Sequence, residues 1–298
     1  MLHARLPQAV LSALAVSIAG LTAPLAASAQ AEPLFATYDA ESAATLDTKP
    51  YTEMIRALTA NERGRTLVAY DVAHAQALPF FSDYASYLAE VPVEQLNRDE
   101  QLAYWLNTRN FLLIQAIAEE RRVRGFKKKR GTPSEPGSFW TEKRITVSGT
   151  ALSLHDIEQD ILFANWDSPN IIFGLYQGVR GGPSLPQRPF TGADVHDKLA
   201  DAAARFSADT RNLRVRGDKV RISSYFDWYL PLAYDGDESK LRAHLATLVQ
   251  AKDQSVVQTD AKLDLRNFST EFEQYRARQA NAGSGSSGGT VSRGGFGS

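Results

Sequence analysis

Cysteine is the residue type that this 298-residue chain lacks altogether. Its absence excludes a disulfide framework, a thiol nucleophile and every metal site that needs a cysteine ligand. Stability must therefore come from an ordinary hydrophobic core, and a chain of this length is long enough to bury one large core.

An excess of charge of one sign is also missing, because 33 lysine and arginine residues face 34 aspartate and glutamate residues. Near-neutral charge points to no class of partner. The densest basic stretch, Arg121 to Arg130, has no ladder of aromatic residues beside it, so we predict no nucleic-acid binding. We interpret this stretch as a solvated helix end and loop, with contact to anionic lipids or envelope polymers as the alternative.

Metal-ligand spacings are absent as well. The five histidines, His3, His74, His155, His196 and His244, form no HxxxH or HExxH pattern. The acidic run at 235–239 lacks the alternating ligands of a calcium loop. The sequence therefore predicts neither a metal nor a cofactor.

Long apolar runs are scarce, and the one that exists lies at the N-terminus, from Ala9 to Leu25. A basic head precedes it and Ala27-Ser28-Ala29 follows it, which is typical of a signal peptide cleaved after residue 29. We therefore expect a protein that is periplasmic or secreted, with no transmembrane segment after cleavage; an uncleaved membrane anchor is the alternative. Residues 280–298 are mostly Gly and Ser and predict a disordered tail. These limits leave one domain at 30–279, and nothing in the sequence indicates its oligomeric state.

Helical periodicity dominates that domain, which predicts an α+β fold, rich in helix, with a small β-sheet. Asn97 is expected to cap a long helix to about Arg122, with Glu100 completing a capping box. Ser153 and Asp156 predict a second box. Further expectations are a helix from Ser82 to Leu88, a buried strand "NIIFGLY" at 170–176, a helix starting at Thr191 or Asp194, and a hairpin turning at Gly217-Asp218.

The stretch "FGLYQGVRGGPSLP", residues 173–186, is called here the Gly-rich loop. Its glycines allow close approach of another backbone, and its prolines stiffen the exit. Ser184 lies in Gly-Gly-Pro-Ser, which is not the G-x-S-x-G pattern of a catalytic serine. In the long helix, Asn107 and Asn110 lie close together on one face among apolar residues, where amides need hydrogen-bond partners.

The order of several segments resembles DUF547, a family of unknown function. The resemblance lies in "RTLVAYDVA", "EQLAYWLNTRNFLLI", "ALSLHDIEQDILF", "NIIFGLYQGVRGGPSLP", "DKLADAAARF", "VRISSYFDWY" and "KLDLRN", which span most of Tyr51 to Phe272. Members commonly carry cysteines where this chain has Gln177 and Gly182, and a histidine where it has Gln159. This sequence is thus similar to a divergent member, in which a thiol and an imidazole suited to papain-like chemistry are replaced by groups unable to perform it.

Two functions are open from the sequence. The first is a non-catalytic binding or scaffolding protein of the cell envelope, whose cleft is lined by Asn107, Asn110, Glu158, Gln177 and Arg180. Arg180 would hold an anionic small molecule, glycan or peptide, helped by exposed N–H groups of the Gly-rich loop. The second is a hydrolase or acyl transferase with Ser184 or Thr150 as nucleophile and His155 as base.

Overall fold

A computed structural model of the chain describes residues 32–120, 131, 136–259 and 262–275. The predicted signal peptide (1–29), the predicted tail (280–298) and the basic stretch Arg121 to Arg130 lie outside these ranges. From Pro33 onward, the described residues belong to one compact unit.

Short strands are interspersed among the helices along the chain. The helices are α1 (Lys49–Leu58), α2 (Tyr70–Val72), α3 (Leu78–Glu90), α4 (Arg98–Glu119), α5 (Ser138–Thr141), α6 (Leu154–Asp156), α7 (Phe163–Asn165), α8 (Ile171–Gly174), α9 (Val195–Ala208), α10 (Ser224–Trp228), α11 (Leu230–Ala233), α12 (Glu238–Leu248) and α13 (Ala251–Gln258). The strands are β1 (Thr59–Glu62), β2 (Arg65–Val68), β3 (Lys143–Val147), β4 (Thr150–Ser153), β5 (Leu213–Arg216), β6 (Lys219–Ser223) and β7 (Leu263–Arg266). Two π-helical segments, Ala73–Ala77 and Ile157–Leu162, join α2 to α3 and α6 to α7.

The strands form small sheets rather than one large one. β1 pairs with β2 and β3 with β4, both antiparallel, while β6 pairs antiparallel with β5 and parallel with β7. The predicted hairpin at Gly217-Asp218 is confirmed, since Arg216 pairs with Lys219 and Gly217 takes a positive φ of 60°. The predicted α+β fold, rich in helix, is confirmed.

The long helix α4 is surrounded by protein, with buried side chains on all of its faces. The Asn97 side chain caps its start by accepting a hydrogen bond from the Glu100 amide at 2.9 Å. The reciprocal half of that box was predicted wrongly, because the Glu100 carboxylate accepts from the amides of Leu46 at 2.8 Å and Gly192 at 2.6 Å. Glu100 therefore joins two distant segments to the helix start, and α4 ends at Glu119, near the predicted end at about Arg122.

The second capping box is confirmed in both directions between Ser153 and Asp156, at 3.1 and 2.7 Å. The predicted strand at 170–176 is wrong, because Ile171–Gly174 forms the short helix α8. A buried apolar run of this length suits either structure, so periodicity does not separate them. The helix predicted from Ser82 begins earlier, at Leu78, with a proline in its first turn, where proline is tolerated.

The helix expected from Thr191 or Asp194 begins at Val195, directly after Asp194. The Asp194 carboxylate accepts from the Thr191 amide at 2.9 Å and thus closes the turn that leads into the helix. Across the described ranges, no helix combines the length and the apolar character needed to cross a bilayer.

Candidate functional site

The Gly-rich loop lies between α4, which supports it from the core, and the segment 268–275, called here the C-terminal strap. All five predicted site residues touch or adjoin this region. Four of them, Asn107, Asn110, Glu158 and Gln177, are buried with at most 4% of their surface exposed. Only the fifth, Arg180, reaches solvent, with 63% of its side chain exposed.

The two asparagines of α4 hold backbone on either side of the loop. Asn107 donates to the Phe190 carbonyl at 2.8 Å and accepts from the Phe190 amide at 2.9 Å. Asn110 donates to the Gly174 carbonyl at 2.8 Å and accepts from the Tyr176 amide at 3.0 Å. Each side chain thus satisfies a backbone donor and acceptor, as the expectation of buried and bonded amides required.

A buried ion pair lies next to these amides. The Arg109 guanidinium donates through Nε to Glu158 Oε1 at 2.7 Å, and its Nη2 lies 2.5 Å from the same oxygen, outside hydrogen-bond geometry. We therefore attribute the hydrogen bond to Nε. Arg109 Nη1 donates to the Tyr176 carbonyl, and the guanidinium lies 5.1 Å from the centre of the Trp140 ring.

The ion pair continues through two further side chains into the loop. Tyr229 donates from its hydroxyl to Glu158 Oε2 at 3.1 Å, and Gln177 donates to the Tyr229 hydroxyl at 2.7 Å. Burial, and next the negative charge of Glu158, raise the pKa of the Tyr229 hydroxyl, so this group stays a proton donor. Glu158, Tyr229 and Gln177 therefore form one continuous chain with Arg109.

Sequence reasoning missed Arg109 and Tyr229. Arg109 could have been found, because it is a lone cation within the apolar centre of α4 and such a charge needs a buried partner. Tyr229 gave no comparable signal, since its partner Glu158 is 71 residues away in the chain.

The loop backbone around Arg180 differs from the prediction of exposed N–H groups. The Arg180 amide donates to the Glu271 carbonyl at 2.9 Å, and the Gly181 amide donates to the Ser269 carbonyl at 2.8 Å. Both groups are thus occupied by the C-terminal strap, and that part of the prediction is wrong. The Arg180 side chain forms an exposed ion pair with Glu271 at 3.4 Å.

The residues of the predicted hydrolase do not come together by hydrogen bonds. The Ser184 hydroxyl accepts from the Thr66 amide at 2.9 Å, and Thr150 lies in β4 opposite Val147. Within the part of the chain that the structure describes, His155 has no hydrogen bond to a hydroxyl. The same part of the chain contains no group of three acidic or histidine side chains arranged to hold a metal ion.

Comparison with known families agrees with the resemblance found in the sequence. Residues 93–206 match the family model described as "Protein of unknown function, DUF547". This matched region, called here the DUF547 region, contains all five predicted site residues but neither β2 nor the C-terminal strap. The absence of cysteine agrees with loss of the usual thiol positions. Comparisons with curated proteins and with solved structures gave no match.

Proposed function

We propose that this protein is a non-catalytic binding or scaffolding protein of the cell envelope, exported by its N-terminal segment. The observation that carries the proposal is the placement of Gln177. At this position, where members of the DUF547 family commonly carry a cysteine, the amide is fully buried and donates to Tyr229 and to the Leu175 carbonyl. An amide held in this way has neither the nucleophilicity nor the proton affinity that acyl transfer requires.

The outward face of the Gly-rich loop is the surface we assign to an anionic small molecule, glycan or peptide. Arg180 supports this assignment because its guanidinium is exposed and offers several donors in a planar fork. Its present partner, Glu271, is equally exposed, and such surface ion pairs contribute only about 0–1 kcal/mol. An incoming anion therefore displaces the Glu271 carboxylate at little cost.

Binding of anions to the loop is tested with purified protein, using inorganic phosphate, poly-glutamate and an acidic oligosaccharide as probes. Binding of any of these to the wild type should be weakened by Arg180→Ala and strengthened by Glu271→Gln, which removes the competing carboxylate. Arg188→Ala is the matched control, because Arg188 is an exposed arginine just beyond the loop. Equal affinity in the wild type and the Arg180 variant contradicts the assignment.

Export is tested separately, by cell fractionation and by determining the N-terminus of the mature protein. We expect a chain that starts at Gln30 and is found outside the cytoplasm; an intact Met1 on cytoplasmic protein contradicts export. A screen against peptides and esters addresses the alternative of a hydrolase or acyl transferase. Turnover that disappears in Ser184→Ala or Thr150→Ala, and in His155→Gln, would replace the non-catalytic proposal.

A further inference from the structure

The C-terminal strap runs between the Gly-rich loop and β2 and is hydrogen-bonded to both. On the loop side, two strap carbonyls accept from the Arg180 and Gly181 amides, and the Glu273 amide donates to the Gly178 carbonyl at 2.9 Å. On the opposite side, the Tyr275 amide donates to the Val68 carbonyl of β2 at 2.9 Å. The strap thus adds to its neighbours as an extended strand does, antiparallel to the loop and parallel to β2.

Three of its side chains are anchored and those between them face solvent. Phe268 is 9% exposed and its ring lies 4.4 Å from that of Trp228. The centre of the Phe272 ring lies 4.8 Å from the centre of the Tyr70 ring. Glu273 is 1% exposed, whereas the three residues at 269–271 are all exposed. This pattern of main-chain pairing with a few side-chain anchors is how sheet edges recognise extended peptides.

Arg65 is the recognition group for the acidic anchor. Its Nε forms an ion pair with Glu273 Oε1, and its Nη2 donates to Glu273 Oε2 at 3.1 Å. The same Nη2 also donates to the Gly182 carbonyl at 2.9 Å, so the loop fixes the guanidinium in place. The forked contact with both carboxylate oxygens selects a carboxylate over a neutral side chain.

Gly181 provides the space that the main chain of the strap needs. A Cβ atom at this position would lie 2.4 Å from the Ser269 amide nitrogen and 2.5 Å from the Phe268 ring. The first of these contacts is with backbone, which has no rotamer to relieve it. Glycine is thus required where the backbone of the strap approaches the loop, as the sequence pattern suggested.

We propose that the groove between β2 and the Gly-rich loop is a binding site for extended peptides in which an aromatic residue directly precedes an acidic one. The C-terminal strap is its resident occupant, with Phe272 and Glu273 in the aromatic and acidic positions. The partner is a protein segment with this pair that replaces the strap. This inference goes beyond the proposed function and rests on Arg65, Gly181 and Tyr70, so failure of the Arg180 experiments leaves it untouched.

Tethering decides how the site responds to an external peptide. A strap joined to the same chain competes at an effective concentration on the order of millimolar, so the intact protein hides the intrinsic affinity of the groove. A variant with a weakened strap and an unchanged groove removes this competition. Phe272→Ala is such a variant, because Phe272 belongs to the strap and its partner Tyr70 to the groove.

The test uses full-length protein and a fluorescent peptide with the strap sequence FSTEFEQY. Wild type should bind it only near or above about 1 mM, and Phe272→Ala should bind it at least about tenfold more tightly. Two further changes should each lower the affinity for the peptide at least about tenfold, because either one breaks the forked contact. The first replaces the Glu273 equivalent in the peptide with Gln, and the second adds Arg65→Gln to the Phe272 variant. Thr270→Ala, which alters an exposed strap residue, is the matched control and should bind like wild type.

Hydrogen exchange of the unaltered protein provides a second, independent measurement. If the strap can leave the groove, the amides of Arg180, Gly181, Glu273 and Tyr275 exchange by local opening, at least about 100-fold faster than core amides of α4. Exchange at the same rate as α4 would overturn the proposal, because the strap would then leave only on global unfolding. So would a folded Phe272→Ala protein that fails to bind the peptide.

Discussion

Asn107 shows at the scale of one residue how a side chain replaces regular secondary structure. Its amide pairs with both the donor and the acceptor of Phe190, a residue outside any helix or strand. Because the pair is buried, neither backbone group has water as a substitute partner. The interaction therefore belongs to the stability of the fold.

The first prediction concerns this amide. Asn107→Ala should lower the free energy of unfolding by about 1–3 kcal/mol, because it leaves two buried backbone groups without partners. Gln115→Ala, at a half-buried position of the same helix where the side chain bonds only Glu119 in an exposed contact, is the control and should stay within about 0.5 kcal/mol. Chemical denaturation of both variants measures the difference, and an unchanged midpoint for the Asn107 variant would show that this role is wrong.

A second prediction addresses the buried ion pair. Removing one partner, as in Arg109→Met, should cost about 3–5 kcal/mol, because Glu158 then keeps a buried charge without compensation. The double variant Arg109→Met with Glu158→Gln should be more stable than the single one, since no unpaired charge remains. A double-mutant cycle by denaturation gives the coupling, and additive losses would contradict it.

His244 is the third residue with a specific expectation. Burial lowers its pKa to about 4, and both ring nitrogens are engaged, with Tyr234 at 2.8 Å and with Asn170 at 2.9 Å. In the unfolded chain the usual value is about 6.5, so the unfolded state binds the proton more readily. Stability should therefore fall as the pH drops from about 6.5 to about 4, with a loss on the order of 2–3 kcal/mol.

This third prediction is measured as the pH dependence of unfolding. His244→Gln should show a shallower loss between pH 7 and 5 than wild type, because it removes the group that takes up the proton. His196→Gln is the control, since His196 lies on the surface with 59% of its side chain exposed. Parallel curves for wild type and the His244 variant would refute the assignment.

At the scale of elements, structure that depends on neighbouring residues could be predicted from the sequence. Structure that depends on residues distant in the chain could not. The caps at Asn97 and Ser153 join residues three apart, so the sequence predicted both correctly. The identity of α8 was not predictable, because its backbone is held by Asn110 from another helix. For the candidate site, the importance of the loop and the amides was predictable. The burial of the site and the position of the C-terminal strap over it depend on contacts between residues far apart in the chain, and they were therefore not predictable.

The π-helical segment Ile157–Leu162 is another element without a local signal. It follows the short helix that the Ser153–Asp156 capping box begins, and it carries Glu158, whose side chain reaches Arg109. Such wide turns are rare and often occur at functional sites. Here the segment coincides with Glu158, a buried acidic side chain beneath the Gly-rich loop.

The fourth prediction concerns how two elements meet. Gly181→Ala should displace the C-terminal strap, because the new Cβ would overlap the backbone of Ser269. We expect faster hydrogen exchange at the Glu273 and Tyr275 amides, with little change in α4. Thr270→Ala serves as the control. Unchanged protection in the Gly181 variant would mean that the loop can move to admit a side chain.

At the scale of the whole molecule, the DUF547 region depends on segments outside it. Residues 93–206 include α4 and the Gly-rich loop, but Tyr229 and the strap come from later in the chain and Arg65 from earlier. A fragment limited to 93–206 would leave Glu158 and the loop edge without these partners. The matched region is therefore only part of the folding unit.

The fifth prediction follows directly. A fragment of residues 93–206 should show no cooperative thermal transition, whereas a fragment of residues 32–275 should unfold cooperatively near the temperature of the full chain. Circular dichroism during heating compares them. A cooperative transition in the shorter fragment would show that the family region folds without β2, Tyr229 and the strap.

The Gly-rich loop is held mainly through its main chain. Asn110 binds the Gly174 carbonyl and the Tyr176 amide, and Arg109 binds the Tyr176 carbonyl. Supports of this kind do not depend on which side chains the loop carries. Evolution can therefore exchange the side chain at position 177 while the backbone of the loop keeps its course.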